Sequence, residues 1–341
     1  MKPFFVPFRE QKGREQKGFG LIELMIAMTL GLLLLGGIGY VYIGSSGAFR
    51  TTDNLSRIHE NARYALEVMS RDIRMAGYIG CGNIASLTVK TIANPPVPAM
   101  SVNNALIGYD NGSGWTNPSS VTRVAGDVIS IMAAFGSGTS LTGNLNPSNA
   151  NIKVNGNPDN FKQGDVLAVT DCANADVFKV TNSPGNTGVV TLTHGSGTNT
   201  GNRTGTYGSD AFVMRVDQYS YFIGNNVAGN RALYRVGLDG NAEELVEHVH
   251  DMQLRYGLDT SVKPDGTVDS YSTTPGTWRQ VVSVTVNLLM RSPDNNIATA
   301  AQSITFNNST YNASGAAPAD RTRLYQVFSS TVGVRNRLPA L

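Results

Sequence analysis

Residues 17–44 read KGFGLIELMIAMTLGLLLLGGIGYVYIG, an apolar stretch in which Glu23 is the only acid. No charged side chain occurs from residue 24 to residue 49. At about 1.5 Å per residue, a helix of this length crosses a hydrocarbon layer about 30 Å thick. A secretory signal peptide has a shorter apolar segment, followed by a small-residue cleavage site before a polar domain. We therefore predict a membrane-spanning helix. A carboxylate at its front is expected to have a function, because it is costly to place there.

A second helical pattern continues directly from the apolar stretch. Small and apolar residues recur there every three or four positions, and charged residues occupy the positions between them. The apolar positions are Leu55, Ile58, Ala62, Ala65, Met69, Ile73 and Ala76. Gly77 is a suitable stop signal. The sequence thus predicts one helix of about 55 residues whose second half packs one face on a domain.

After Gly80 the composition changes to short apolar runs separated by segments rich in Gly, Asn, Ser and Thr, which is typical of strands and turns. Strands are predicted at residues 127–133, 165–170, 177–180, 189–193, 211–222, 232–236, 245–256, 280–290 and 324–332. Loops or insertions are predicted at 92–120, 136–160, 195–209 and 259–277. The predicted fold class is α+β, with a long N-terminal α-helix packed on a β-rich globular domain.

The charge of the chain is concentrated at its N-terminus. The 27 basic and 25 acidic side chains give a net charge of +2. Residues 1–18 contain 5 basic and 2 acidic side chains, a net of +3, so the other residues carry 22 basic and 23 acidic side chains, a net of −1. Lys and Arg beside a membrane span remain on the cytoplasmic side. A net charge this small gives no indication of nucleic-acid binding.

The residues KGFGLIELMIAMTLG, 17–31, resemble the type IV prepilin signature. The resemblance implies that a prepilin peptidase cleaves after Gly18 and that Phe19 becomes an N-methylated N-terminus. It also places Glu23 at the fifth mature position. There its carboxylate would be neutralised by the N-terminal amine of a neighbouring subunit, so that burial becomes favourable only on docking. We therefore expect Glu23 to set subunit register.

Five further segments resemble the PilW family of large minor pilins. They are RYALEVMSRDIRMAGYIGCG (63–82), GDVLAVTDC (164–172), LVEHVHDMQLRYGLD (245–259), QVVSVTVNLLMRS (280–292) and YQVFSSTVGVRNR (325–337). The resemblance implies a pilin-like division: leader 1–18, transmembrane half-helix 19–44, amphipathic half-helix 45–77 and periplasmic domain 78–341.

The function implied by this resemblance is structural. The chain would join a minor-pilin complex that primes assembly and lies at or near the tip of a type IV pilus in a Gram-negative bacterium. Its implied partners are other minor pilins, the major pilin, a tip adhesin, the inner-membrane assembly platform and the prepilin peptidase. Two alternatives stay open: a type II secretion subunit like pseudopilin J, and a tip module that binds a surface, DNA or a receptor through residues 92–160.

The two cysteines, Cys81 and Cys172, both follow the membrane segment. They form no CxxC pair and no zinc-binding pattern. An oxidising periplasm would allow them to form a disulfide, and two unrelated buried thiols are the alternative.

No catalytic motif or cofactor site is predicted from the sequence, and no enzymatic activity is expected. His248 and His250 alternate as on one face of a strand. A metal site there would need more ligands, so a solvated strand face is expected. The loop DTSVKPDGTVD, residues 259–269, lacks the spacing of an EF-hand, and a plain hairpin loop is preferred over a calcium site.

Overall fold

The computed structural model describes residues 18, 20–81, 83–200, 204–307 and 309–337. The chain forms two compact units, Met1–Asp53 and Asn54–Leu341. Helix α1, Leu21–Met75, begins in the first unit and ends in the second. All of the strands lie in the second unit. The predicted fold class, one long N-terminal helix and a β-rich domain, is therefore confirmed.

The strands of the domain are short, with four longer exceptions that form the centres of two sheets. The first eight are β1 (Thr88–Thr91), β2 (Leu106–Tyr109), β3 (Arg123–Ser140), β4 (Asn151–Asn155), β5 (Val166–Thr170), β6 (Asn174–Lys179), β7 (Val189–Thr193) and β8 (Phe212–Asn225). The others are β9 (Arg231–Val236), β10 (Ala242–Glu247), β11 (Val249–Leu258), β12 (Ser270–Ser272), β13 (Val281–Arg291), β14 (Ser303–Phe306), β15 (Ser309–Asn312) and β16 (Tyr325–Gly333).

The first sheet has the order β1-β6-β5-β8-β3-β2 and is antiparallel except for the parallel pair β1–β6. The long strand β8 pairs with β3 along one edge. Its other edge is shared, because β5 pairs with its first residues and β9 with its last. Strand β10 extends the sheet beyond β9.

The second sheet has the order β12-β11-β13-β16 and is antiparallel. Two separate antiparallel pairs, β4–β7 and β14–β15, complete the strand pairing. Asp127 of β3 links the two sheets, because its carboxylate accepts the backbone N–H of Asn111 and that of Leu254 on β11, at 2.8 and 2.7 Å. Burial raises the pKa of this carboxyl to about 6.

One large hydrophobic cluster of the domain lies between α1 and the two sheets. From the helix it contains the predicted apolar stripe, since Ile58, Ala62, Ala65, Met69, Ile73 and Ala76 are all buried. From the first sheet, Ile129 and Tyr221 contribute to the same cluster, and from the second sheet, Leu254 and Leu288 do so. Burying each large aliphatic side chain of this kind contributes about 1.5–3 kcal/mol.

The prediction of strands was correct for the long apolar runs and wrong in two respects. The predicted strand 245–256 is two strands, because His248 adopts a left-handed φ of 64° between β10 and β11. Strands β1, β2, β4, β12, β14 and β15 were not predicted. Strands β2, β4 and β12 lie in segments expected to be loops. They are short and are stabilised by pairing with other strands, and a local pattern carries little information about such pairing.

Candidate assembly helix and its anchors

In the first unit, the helix presents apolar side chains on every side. Every Leu, Ile, Met, Val and Tyr from residue 21 to residue 43 is at least 55% exposed. A helix that is apolar all round is suited to a membrane or to the interior of an assembly. By length and composition, this helix can cross a membrane.

Glu23 lies in the first turn of α1. The carbonyl of Gly20 accepts the backbone N–H groups of Glu23 and Leu24 at 3.0 and 3.1 Å, and so begins the helix. The carboxylate is exposed and benefits from the positive end of the helix dipole. Gly18 is also exposed, whereas Phe19, the predicted new N-terminus, lies outside the described residues.

In the second unit, the helix is fixed at the start of its packed half by a reciprocal pair of hydrogen bonds. The Asn54 amide donates to the Asp294 carboxylate at 3.1 Å, and the Asp294 backbone N–H donates to the Asn54 side-chain oxygen at 3.1 Å. Asn54 is buried. Because both groups of the amide are used, its desolvation is compensated.

A second anchor lies one turn before the end of the helix and was not predicted from the sequence. The buried carboxylate of Asp72 accepts a hydrogen bond from the Tyr221 hydroxyl on β8 and lies 3.4 Å from the Arg235 guanidinium on β9. Arg235 also pairs with Glu243 at 2.7 Å. Burial, followed by the neighbouring carboxylate of Asp72, raises the pKa of Tyr221. The sequence contained one indication of this anchor, because Asp72 is an acidic residue on the apolar stripe, three residues after Met69.

The helix ends at a glycine that the sequence predicted as its stop. Gly77 has a φ of 77°, and a Cβ there would lie 2.8 Å from Ile84 Cγ2. Its N–H donates to the Met132 carbonyl on β3 at 2.9 Å. The Asn336 amide lies 3.3–3.4 Å from the last carbonyl oxygens of the helix, including that of Ala76. The end of the chain thus caps the helix.

Cys81 and Cys172 form a disulfide, as predicted, with their Cα atoms 5.3 Å apart. Cys81 follows the end of α1 by six residues, and Cys172 lies in the turn between β5 and β6. In that turn the Asp171 carboxylate accepts the backbone N–H groups of Ala173 and Asn174. Both cysteines are exposed, so the bond ties the helix exit to the surface of the first sheet.

A groove of about 1400 Å³ runs beside the exposed side of the packed helix and reaches β10 and β16. Arg63, Glu67, Arg71 and Arg74 line it from the helix. The exposed ring of His59 meets the ring of Phe328 on β16 at a centroid distance of 5.1 Å. The outer side of the helix is thus charged and accessible.

The expectation of a solvated strand face for His248 and His250 was wrong. His248 is 9% exposed, and the His250 ring lies 4.8 Å from the ring of Tyr311 and 5.2 Å from that of Tyr325. Burial, reinforced by nearby arginines, lowers the pKa of His248 to about 4 and that of His250 to about 3. Both side chains are therefore neutral parts of the packing.

The loop 259–269 uses its own carboxylates internally. Asp259 is buried and accepts the backbone N–H groups of Ser261, Asp265 and Gly266. Asp269 accepts from the backbone and hydroxyl of Thr260. These contacts favour the plain loop over a calcium site. Among the described residues, no group of three or more His, Cys, Asp or Glu side chains is arranged to hold a metal ion.

Two protein families match the chain at opposite ends. A family described as type IV pilus-assembly protein W, PilW, matches residues 220–336, and the prokaryotic N-terminal methylation motif matches residues 13–39. Both resemblances drawn from the sequence are thereby confirmed.

A solved structure of a type IV-like pilin from Thermus thermophilus is also similar. It is 12% identical, covers 85% of this chain and 98% of its own, and has a TM-score of 0.34, which is too low to support any argument. No curated protein sequence matches the chain significantly.

Proposed function

We propose that this chain is a minor pilin of a type IV pilus, in which it joins other minor pilins in a complex that primes assembly and lies at or near the tip. One observation carries the proposal. A helix that is apolar on every side, with a methylation motif at its front, continues into a domain whose second half resembles PilW. The first half of such a helix is suited first to the membrane and then to the interior of a filament.

Processing and topology follow from the same proposal. Prepilin peptidase removes residues 1–18, and Phe19 becomes an N-methylated terminus. Residues 19–44 cross the inner membrane, while 45–77 and 78–341 lie in the periplasm. The net charge of +3 in the leader keeps that end cytoplasmic. An exposed disulfide is consistent with an oxidising compartment.

Glu23 acts in this proposal as the group that sets register between subunits. It is the only acid in the charge-poor front of the helix, and its exposed position leaves it accessible to another chain. The amine of a neighbouring subunit's Phe19 neutralises it during docking, when both groups leave the membrane interface. The partners are other minor pilins, the major pilin, the assembly platform and a tip adhesin.

The role is structural and not catalytic. A subunit like pseudopilin J of a type II secretion system has the same chemistry at its helix and is the second candidate. The two differ in the proteins that assemble around them. No observation on this chain's own residues favours the secretion system.

Crosslinking in membranes of the bacterium that produces the chain tests the proposal. A tagged chain at native level is crosslinked, purified and analysed by mass spectrometry, with Gly18→Val as a matched control that keeps the leader. We expect minor pilins and the major pilin with the wild-type chain and a strong reduction with the control. Recovery of secretion pseudopilins alone would support the second candidate, and recovery of neither set would overturn both.

A further inference from the structure

A cavity of about 540 Å³ lies on the face of the first sheet that is turned away from α1. The alternation of the two central strands places it there. Ile129 of β3 and Tyr221 of β8 belong to the core cluster around the helix, whereas the next residues in line, Ser130 and Ser220, line the cavity. The cavity therefore remains accessible when the helix side of the domain is occupied by other subunits.

Aromatic and proline side chains form the walls. Tyr109 at the end of β2 and Trp115 in the following loop are half-buried and line the cavity. The Trp115 ring packs against the ring of Phe222 at a centroid distance of 5.0 Å, and Phe222 stacks on Tyr234 at 5.7 Å. Trp115 is thus held in place from behind. Such a fixed aromatic surface binds flat apolar faces with little loss of conformational entropy.

Hydroxyl, amide and carboxylate groups form the rest of the cavity. At its floor, the Oγ atoms of Ser130 and Ser220 are buried and lie 2.6 Å apart in a hydrogen bond. Gln218 lines the wall, and its side-chain amide has no hydrogen-bond partner among the described residues. Asp239 lies in the turn between β9 and β10, where its carboxylate accepts both the backbone and the amide of Asn241. Donors and acceptors therefore converge on one half-open space.

The position of that turn is set by a half-buried acid beneath it. Asp217 accepts the backbone N–H of Gln218 at 2.7 Å and that of Leu238 at 2.9 Å. Burial raises the pKa of this carboxyl. The carboxylate thereby connects the wall residue on β8 to the turn that carries Asp239, so both sides of the cavity are held together.

The charge of the lining excludes several classes of ligand. Among the described residues, the lining contains no Lys, Arg or His, and Asp239 is its only charged residue. Nucleic acids and anionic glycans require cationic side chains for affinity. A polyproline segment would use the aromatic walls, but its backbone has carbonyl acceptors and no N–H, so it would offer no donor to the Asp239 carboxylate. A neutral ligand with an apolar face and several hydroxyl groups satisfies all parts of the lining.

We propose that this cavity binds a neutral sugar ring of a glycan, with the apolar face of the ring on Trp115 and Tyr109 and its hydroxyls on Gln218, Asp239 and the serine pair. The volume lies within the range of about 300–1,000 Å³ typical of small-ligand sites. Most of the lining, from Pro96 to Gln218, precedes the segment that matches PilW. The site goes beyond the proposed role in assembly and does not depend on it.

Glycan binding by the full chain tests the inference. The protein is purified in a zwitterionic detergent without a sugar headgroup, because glycoside detergents would compete. An array of neutral and anionic glycans identifies a ligand, and calorimetric titration then measures its affinity. We expect binding to neutral glycans, a loss of at least about tenfold for Trp115→Ala, and a loss of about tenfold for Gln218→Ala, equivalent to one hydrogen bond. Tyr64→Ala, at an exposed aromatic on the helix, should bind as the wild type does.

Gln218→Ala keeps the test valid if Trp115→Ala disturbs the packing on Phe222, because the Gln218 amide makes no hydrogen bond to the described part of the protein. Three results overturn the inference: no binding of any neutral glycan, unchanged affinity in both cavity variants, or binding of only anionic glycans, DNA or polyproline peptides. Piliation separates this inference from the proposed function. Cells with Gln218→Ala should assemble normal pili, whatever the outcome of the binding experiment.

Discussion

The hydroxyl of Tyr221 donates a hydrogen bond to the buried carboxylate of Asp72, 149 residues away in the sequence. The bond joins the helix to the central strand of the first sheet. The apolar stripe of the helix can slide or rotate on a sheet with modest loss, whereas a buried carboxylate has one position in which its charge is compensated. This contact therefore fixes how the helix lies on the domain.

Replacing the hydroxyl should destabilise the domain although the ring stays in place. We expect Tyr221→Phe to lower the free energy of unfolding by about 1–3 kcal/mol, because the Asp72 carboxylate stays buried with one donor fewer. Denaturant unfolding of the full chain in detergent measures this. The matched control is Tyr219→Phe, two residues earlier, where no hydroxyl hydrogen bond is present among the described residues and a change within about 0.5 kcal/mol is expected. Equal losses in both variants would show that the hydrogen bond from Tyr221 to Asp72 does not stabilise the domain.

Glu23→Ala should separate processing from assembly. The variant chain should insert, lose its leader and fold, since the domain is far away in sequence. Crosslinks to other pilins should decrease, because removal of one partner of a buried ion pair costs on the order of 3–5 kcal/mol. Thr29→Ala is the control within the span: among the described residues, its hydroxyl bonds to its own helix alone, at the carbonyls of Met25 and Ile26. Normal crosslinking with Glu23→Ala would show that Glu23 is only an acid at the membrane interface and does not set subunit register.

Gly18→Val should block removal of the leader, because a branched side chain crowds an extended backbone in a protease cleft. The N-terminal mass of the chain from membranes provides the measurement, and the wild type should begin at Phe19. Gly20→Ala is the control, since an added Cβ meets no atom within 4 Å there. Cleavage of the Gly18 variant at the same position would show that the junction tolerates a large residue.

Breaking the disulfide should lower the amount of protein more than it changes its partners. The bond spans 91 residues, and chain-entropy estimates assign about 4 kcal/mol to a loop of that length. We expect Cys172→Ser to decrease the steady-state level and to increase protease sensitivity. Cys81→Ser and the double variant should give the same decrease, because all three lack the same bond. Two thiols that alkylate without reductant in the native protein would contradict the pairing.

Acid should destabilise the domain through its buried histidines. His248 and His250 have depressed pKa values in the folded state. Below pH 6.5 the unfolded chain therefore binds more protons than the folded chain. The free energy of unfolding present above that pH is lost as the pH falls towards 4. At pH 4, each histidine lowers the free energy of unfolding by on the order of 3 kcal/mol. Asp127, with a raised pKa of about 6, acts in the opposite direction and offsets part of the loss.

The variant His250→Phe keeps an aromatic ring between the two tyrosines but cannot take up a proton. Unfolding measured between pH 7 and pH 4.5 should show a shallower loss of stability for it. His59→Phe, at an exposed histidine, should retain the slope of the wild type. Identical slopes in all three proteins would show that protonation of His250 does not cause the loss of stability at acid pH.

The sequence was informative where one pattern is repeated over many residues. The helix could be predicted because its apolar stripe recurs over seven positions, and β8, β11 and β13 because their apolar runs are long. The anchors Asn54–Asp294 and Asp72–Tyr221 could not be predicted, because the partners are more than 140 residues apart and no local pattern brings them together. Asp72 alone gave a signal, as an acid on the apolar stripe.

The cavity illustrates the same limit. Trp115, Ser130, Gln218 and Asp239 come from four separate segments, and only the pairing of β3 with β8 and of β8 with β9 places them around one space. Local composition predicts a loop for residues 92–120, which are rich in Gly, Asn, Ser and Pro. Nothing in that composition indicates that its aromatic residues share a wall with a turn more than a hundred residues later.

The disulfide has a mechanical consequence for a subunit of a filament that is pulled. Tension that enters along α1 reaches Cys81 and can pass through the bond directly to Cys172. The 90 residues between them, with β1 to β5 and the wall that holds Trp115, then lie outside the load path. Even if the helix were drawn away from the sheets, that segment could not be extended. In the proposed tip subunit, one side of the cavity would thereby stay unloaded while the helix is under tension.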